Sequence, residues 1–352
     1  MRNFLNKYGY IFMILAILDL LAIRLITMKS DYEVTTPGGL NEVANLIEVE
    51  SGMMYEGSFN TIYVQSFDDA SLLHALVASF SEANELTEII ESKDYFDYTI
   101  LENYQAGTIQ KNQSIDAAII CAYNTMIEKG HSVNLDYEFI GFIVYGYMKN
   151  QEILKIGDLL VGVTLSNGEY YDITNPSMLT DCLNNLSLGD TIHYVRNDVI
   201  DTYQITEEIS TIKMNRFYGY AKYEINEETI FPKYKLYHAN TLGPSGGLLQ
   251  TLSVYSQLSG IDLTGGKKIA GTGTISVNGK VGAIGGIKQK IITAIRSGVD
   301  IFVCPKIHKE EALEAYYDEV NHQSMHIIFV ETFKEAVDEL ETLIEYEFKE
   351  NV

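Results

Sequence analysis

Three glycine-rich segments between residues 243 and 290 constrain this chain more than any other stretch. The first is Gly243-Pro244-Ser245-Gly246-Gly247, the second Gly271-Thr272-Gly273-Thr274-Ile275, and the third Gly285-Gly286-Ile287-Lys288-Gln289-Lys290. Pro244 suits the first turn of a helix, where its missing N–H would be unpaired anyway. The glycines let a second backbone approach closely. Leu248, Leu252 and Tyr255 follow at i, i+4 and i+7, the spacing of a buried helix. Ser245 then sits at a helix N-terminus, whose free N–H groups can hold a developing oxyanion.

A nucleophilic serine needs a base, and histidine is the usual one. Of the seven histidines only His238 is close in sequence, although triad members need to meet only in the fold. Lysine can serve if burial and a nearby positive field lower its pKa from about 10.4. The third segment feeds a second apolar helix carrying Ile287, Ile291, Ala294 and Ile295 and closed by Gly298. Lysines in its first turn feel the positive end of the helix dipole, which disfavours the ammonium form. Lys288 and Lys290 both flank the apolar face, and the helical wheel does not choose between them. The glycine run at 271–286 is not a dinucleotide fingerprint. Ile275 to Val281 reads as strand, Asn278-Gly279 turn, strand, where that fingerprint needs a helix start.

In order and spacing these segments resemble the proteolytic domain of the Lon family. The resemblance implies a Ser–Lys dyad. Ser245 matches the family's serine, Lys290 the last residue of its Gly-Gly-x-x-x-Lys pattern, and Thr272 the threonine that hydrogen-bonds the lysine. It also implies an oxyanion hole from backbone around Gly243, Ser245 and Gly246. Lys288 falls on a variable position. Gly246 stands where the family usually has alanine. Asn240-Thr241-Leu242 stand where the cytosolic members carry an acidic residue, which places the chain nearer the membrane-anchored branch.

Residues 133–208 resemble a PDZ domain. Phe139 to Val144 is an apolar strand, Leu154 to Val163 the family's turn into its next strand, Ser177 to Leu186 the helix beside the groove, and Gly189-Asp190 the start of the last strands. Such a module binds peptide by strand addition, here at Gly141, Phe142 and Ile143. Taken together, the chain is similar to the PDZ–Lon-like proteases of Gram-positive bacteria, some of which process secreted signalling peptides.

At the N-terminus, Arg2 and Lys7 precede an apolar run from Ile11 to Met28, interrupted by Asp19 and Arg24. With the flanking tyrosines it reaches the roughly 20 residues a bilayer needs, and Tyr8 and Tyr10 fit the interfacial belt. No small-x-small cleavage site follows Arg24, so the expectation is an uncleaved anchor over 8–28. The body would lie outside the cytoplasm. Residues 30–132 read as a mixed region with a turn at 35–39, a strand at 57–64, and helices at 71–91 and 114–129. Residues 209–345 read as the catalytic domain, ending in strand 301–303, helix 310–320, strand 326–330 and helix 332–346. The expected fold is a multidomain α+β and α/β chain: transmembrane helix, PDZ-like β-domain, Lon-type proteolytic domain.

A formal net charge of −23 excludes nucleic acid as a partner, since no basic patch offsets it. Cys121, Cys182 and Cys304 have no metal-binding spacing, and no cofactor or metal is expected. No Gly-x-x-x-x-Gly-Lys-[Ser/Thr] occurs, so no ATP is expected, and the substrate would be an already unfolded protein or a peptide. A homo-oligomer is compatible with the sequence. The contrasting reading is an inactive, membrane-tethered peptide-binding scaffold; an intact Ser–Lys pair argues against it.

Overall fold

The computed structural model describes residues 2–89, 98–147, 154–177, 186–206, 217–238, 240–319 and 324–350. The first part of the chain holds α1 (Arg2–Thr27), β1 (Tyr32–Glu42), β2 (Ile47–Val49), β3 (Ser58–Phe67), α2 (Leu72–Ala78), β4 (Glu85–Glu88) and α3 (Ile100–Glu128). Then come β5 (Tyr137–Tyr147), β6 (Leu159–Thr164), β7 (Tyr170–Asp172), β8 (Thr191–Arg196), β9 (Val199–Gln204), β10 (Phe217–Ile225) and β11 (Tyr234–Leu236). The last part holds α4 (Gly247–Ser259), β12 (Lys268–Gly271), β13 (Thr274–Ile275), β14 (Val281–Gly282), α5 (Ile287–Arg296), β15 (Ile301–Pro305), α6 (Lys309–Asp318), β16 (His326–Val330) and α7 (Phe333–Glu350).

One sheet runs β16-β15-β12-β3-β1-β4. Its first four strands are parallel, while β1 is antiparallel to both β3 and β4. Parallel strands covered on both faces are apolar throughout, as in the fully buried Ile301-Phe302-Val303-Cys304 of β15. Alternate residues serve opposite faces. Ile269 and Val303 pack with Leu248, Leu249 and Leu252 of α4 and Ile119 and Ile120 of α3. Ala270 and Phe302 pack with Ile287, Ile291 and Ile295 of α5 and Ala312 of α6.

The sheet joins what the sequence divides. β12 pairs with β3 in the register Lys268↔Ser58 and Ile269↔Phe59, so strands from 30–132 complete the sheet of the catalytic region. Two local expectations also change. The predicted turn at 35–39 lies within β1, where the register slips between Pro37 and Gly39. A Cβ on Gly38 would stand 2.1 Å from the Tyr63 carbonyl oxygen, so glycine is what lets this bulge form. The predicted helix over 71–91 stops at Ala78, and Glu85–Glu88 instead pairs with Tyr32–Thr35 as β4. Pairing to β1 outweighs the local helical pattern, because a cross-strand partner rewards alternation that helix propensity ignores.

The second sheet runs β10-β5-β6-β8-β9, with β7 on β6. Phe142, Val144, Leu154, Leu160, Ile192 and Tyr194 form its core. Arg196 donates from Nε and Nη2 to the two oxygens of the buried Asp158 carboxylate at 2.8 and 2.7 Å, a two-pronged, charge-assisted pair. Gly141, Phe142 and Ile143 do not offer an edge for peptide. Phe142 pairs with Ala221 of β10 on one side and Leu160 of β6 on the other, and Ile143 with Tyr220 and Leu159. Both edges of β5 are occupied by the chain itself, so strand addition there is closed. The helix expected at 177–186 falls largely on 178–185, outside the described residues.

Tyr8–Thr27 of α1 is long and apolar enough to cross a bilayer, with mean hydropathy 2.2 and none of its apolar window buried. The chain leaves it without slack. Leu72 N–H donates to the Met28 carbonyl at 2.9 Å, Ser30 N–H to the Ala70 carbonyl at 2.8 Å, and Lys29 pairs with Asp69 at 2.8 Å.

Because β12 has β3 as a neighbour, residues 209–350 expressed alone are expected to lack a cooperative unfolding transition. Phe59, Ile115, Ile119 and Tyr123, all buried in the same core, would be missing, and each lost large side chain costs about 2–5 kcal/mol. A sharp thermal melt with native near-ultraviolet circular dichroism from that fragment would show that the sheet is divisible after all.

Candidate active site

Ser245 stands on the turn just before α4, whose first residue is Gly247. The turn is held from two sides. On one, Gly243 adopts φ 86° and donates its N–H to the Gly107 carbonyl of α3 at 2.9 Å. Two helical turns further along α3, Ser114 Oγ donates to the Pro244 carbonyl at 2.8 Å. On the other, the Ser245 carbonyl accepts Gly273 N–H at 2.8 Å and Thr272 Oγ1 at 3.2 Å. A Cβ on Gly247 would stand 2.6 Å from Ser114 Oγ and 2.7 Å from Ile275 Cγ2. Glycine therefore allows α4 to begin where α3 and β13 converge.

Lys290 lies in the first turn of α5 and is 3% exposed. Its Nζ donates to Thr272 Oγ1 at 3.0 Å. Thr272 is wholly buried, and its N–H is fixed on the Val303 carbonyl at 2.9 Å. A threonine hydroxyl has one proton, and here it goes to the Ser245 carbonyl, so the oxygen's lone pair is left for Lys290. No carboxylate pairs with Lys290 among the described residues. Burial lowers its pKa to about 8, because an ammonium loses hydration that one hydroxyl acceptor does not make up.

Ser245 and Lys290 line one open cleft of about 630 Å³ with Pro244, Thr274, Gly285 and Gly286. Ser245 Oγ bonds to none of the described residues, and no direct bond links it to Nζ; such contacts often tighten only around substrate. The sequence left Lys288 and His238 open as bases. Lys288 is half-buried and does not line this cleft, and His238 is exposed, with Nε2 on Asn240 Oδ1 at 3.0 Å.

Of the backbone groups expected at an oxyanion hole, Gly243 is corrected. Its N–H is already given to Gly107. The N–H groups of Ser245 and Gly246 have no acceptor among the described residues, and they flank the Ser245 side chain. Sequence reasoning missed Gly107, Ser114 and Tyr220. For the first two a signal existed: two small residues one heptad apart on a long helix put a close-approach stripe on one face.

The lysine's environment fixes a sign. With the folded pKa lowered to about 8 from 10.5, the unfolded chain binds more protons between those values, so stability rises with pH across that window. Below about pH 8 the full cost of the buried ammonium is present, about 3 kcal/mol at 1.36 kcal/mol per unit. Lys290→Met is therefore expected to be more stable than the parent by about 1–3 kcal/mol at pH 7, with the difference shrinking toward pH 10. Urea denaturation at both pH values measures it. A variant less stable at pH 7 than the parent would contradict this reading of the site.

Residues 239–342 match the Lon protease (S16) C-terminal proteolytic domain family. Curated relatives agree over the same region. The chain is 36% identical over 95 residues to the Lon protease of Neorickettsia sennetsu (27% of this chain, 11% of that protein). It is 37% identical over 103 residues to that of Mycoplasma genitalium (28% and 12%), and 34% identical over 100 residues to that of Clostridioides difficile (28% and 12%). The chain thus spans about one eighth of the length of these relatives. The turn bearing Ser245, the buried Lys290 and the Thr272 between them all lie within a Lon-type serine protease domain.

Proposed function

We propose that this chain is a membrane-anchored, ATP-independent serine endopeptidase that works through Ser245 and Lys290 outside the cytoplasm. The observation that carries this is the lysine. A 3% exposed amine with no carboxylate partner among the described residues, hydrogen-bonded to a threonine tied to the nucleophile's own carbonyl, is arranged to shed its proton near pH 8, far below an ordinary lysine, and so to serve as a base.

In this mechanism Ser245 Oγ attacks the scissile carbonyl carbon while Lys290 Nζ takes its proton. The charge that develops on the carbonyl oxygen is met by the N–H groups of Ser245 and Gly246. The ammonium then gives its proton to the leaving amine, and the acyl-serine is released by water activated by the same amine. Thr272 keeps Nζ pointed across the cleft; it touches Lys290, not the reacting atoms, and is a positioning residue. Support for the anchor is the length and composition of Tyr8–Thr27. Arg2 and Lys7 before it favour an N-terminus inside. Without an ATP-driven unfoldase motif in the sequence, substrates would be peptides or unfolded segments.

Ser245→Ala is expected to lower kcat by at least about 10³, with circular dichroism unchanged. Lys290→Met should cost about 10²–10⁴ or more, while Lys288→Met stays within a few-fold. The parent's rate should rise with pH along one ionisation near 8, since the deprotonated amine is the base. A fully active Lys290→Met, or a rate that falls as pH rises through 8, would move the base elsewhere, with His238 the next residue to test.

A further inference from the structure

The cleft holding Ser245 and Lys290 does not end at them. On one side it runs over the open face of β1, β3 and β4. Thr35 pairs with Ser66 and with Glu85, and Glu33 with Thr87, so these side chains share one face. All five line the cleft with Val64. The face is polar and carries two carboxylates. Glu33 accepts from Ser66 Oγ at 3.1 Å, and neither Glu33 nor Glu85 has a cationic partner among the described residues.

On the other side of Ser245 a second cavity of about 440 Å³ opens. It shares Tyr220, Pro244 and Thr274 with the first, so the two meet beside the nucleophile. Its lining surface is mostly apolar, from Ala117 of α3, Tyr223 and Ala221 of β10, Ile275 of β13, and Val277, with Gln113, Ser114, Ser276 and Asn278 adding polar groups. It also includes a cation, the exposed Lys280, directly before β14.

We propose that the two cavities form one substrate groove, and that it selects peptides with a bulky apolar side chain on one side of the scissile bond and a lysine or arginine on the other. An extended peptide crossing Ser245 places successive residues on both sides of it. The 440 Å³ cavity accepts a leucine or phenylalanine side chain, which loses water there, whereas a serine would leave the cavity unfilled. Over the sheet face, Glu33 and Glu85 attract a cationic side chain and repel an acidic one. The protein's net charge of −23 adds attraction for a cationic peptide at long range. Glu33 and Glu85 are thus specificity residues, and β10 supplies the wall of the apolar side.

This inference rests on the peptidase reading, and the test separates the two. Eight matched fluorogenic peptides carry leucine or serine on one side of a central bond and lysine or glutamate on the other, each pair in both chain directions. Each is offered to the full chain for cleavage and to the Ser245→Ala full chain for binding by fluorescence anisotropy. The leucine–lysine peptide is expected to bind and to be cut roughly three- to tenfold better than the leucine–glutamate peptide, the range open to partly exposed charge pairs. The advantage should shrink as salt is raised. The double variant Glu33→Gln, Glu85→Gln should lose the lysine preference, and Glu85→Asp should retain it. Equal binding of the lysine and glutamate peptides by Ser245→Ala overturns the proposed groove whatever the cleavage result, as does a lysine preference that survives the double variant. If Ser245→Ala binds with the expected preference while the parent cuts none of the peptides, the groove stands and the peptidase reading falls.

Discussion

A lysine amine buried with no counter-charge among the described residues is the constraint on which the rest of the site depends. Lys290 is covered by the same packing that builds the core: its helix contributes Ile287, Ile291 and Ile295 to one face of the sheet. Among the described residues that packing leaves Nζ a single hydrogen bond, to Thr272. A carboxylate within reach would stabilise the ammonium and raise its pKa. The fold instead offers a hydroxyl, which orients the amine without adding charge. The hydroxyl's own proton is committed to the Ser245 carbonyl, so Lys290 and Ser245 are both positioned by the same oxygen. The cost is stability at neutral pH, which is how functional sites commonly conflict with the core that carries them.

The turn bearing Ser245 depends on a second constraint, close approach. α3 crosses it at Gly107 and Ser114, and α4 starts at Gly247 against Ser114 and Ile275. Each contact consumes a backbone group that would otherwise be unpaired. The Gly243 N–H goes to α3, the Pro244 carbonyl to Ser114, and the Ser245 carbonyl to Gly273 and Thr272. Among the described residues the N–H groups left over are those of Ser245 and Gly246, the two proposed to meet the oxyanion. A turn so thoroughly tied has few ways to move, which suits electrostatic stabilisation that must be in place before charge develops.

Much of this site was legible in the sequence, and for a definite reason. Ser245, Thr272 and Lys290 each sit in a glycine-marked turn, and such turns declare themselves over five or six residues. β16 likewise has the boundaries expected of it, His326 to Val330, because a short apolar run between polar flanks is a local pattern. The sheet's membership was not legible. Asn60 Nδ2 donates to the Ile269 carbonyl across a separation of 209 residues, and nothing near either residue announces the other. β10 was missed for the same reason, and with it the closure of Gly141 to Ile143. β4 was hidden inside a stretch whose apolar spacing also fits a helix; only its partner β1 decides between the two.

The second sheet is spliced into the catalytic core rather than appended to it. The chain builds β1, β3 and α3 of the core, leaves through β5, and returns through β10. Those two strands pair along their length, from Tyr137↔Ile225 to Tyr147↔Phe217. The ends of the insertion are therefore side by side, and the core on either side closes over a short gap, which is the condition under which a fold tolerates an insertion. α3 holds the splice from the core side: Asp116 meets Lys222 at 3.5 Å, and Asn124 Nδ2 donates to the Tyr137 hydroxyl at 3.0 Å. The exit strand then has two roles that cannot be separated. Its pairing with β5 completes the inserted sheet, and Tyr220, Ala221 and Tyr223 from the same strand wall the cavity next to Ser245. Any shift of the inserted sheet against α3 must move these side chains, so the shape of the cleft wall is set by a sheet whose own residues lie outside the proteolytic match at 239–342.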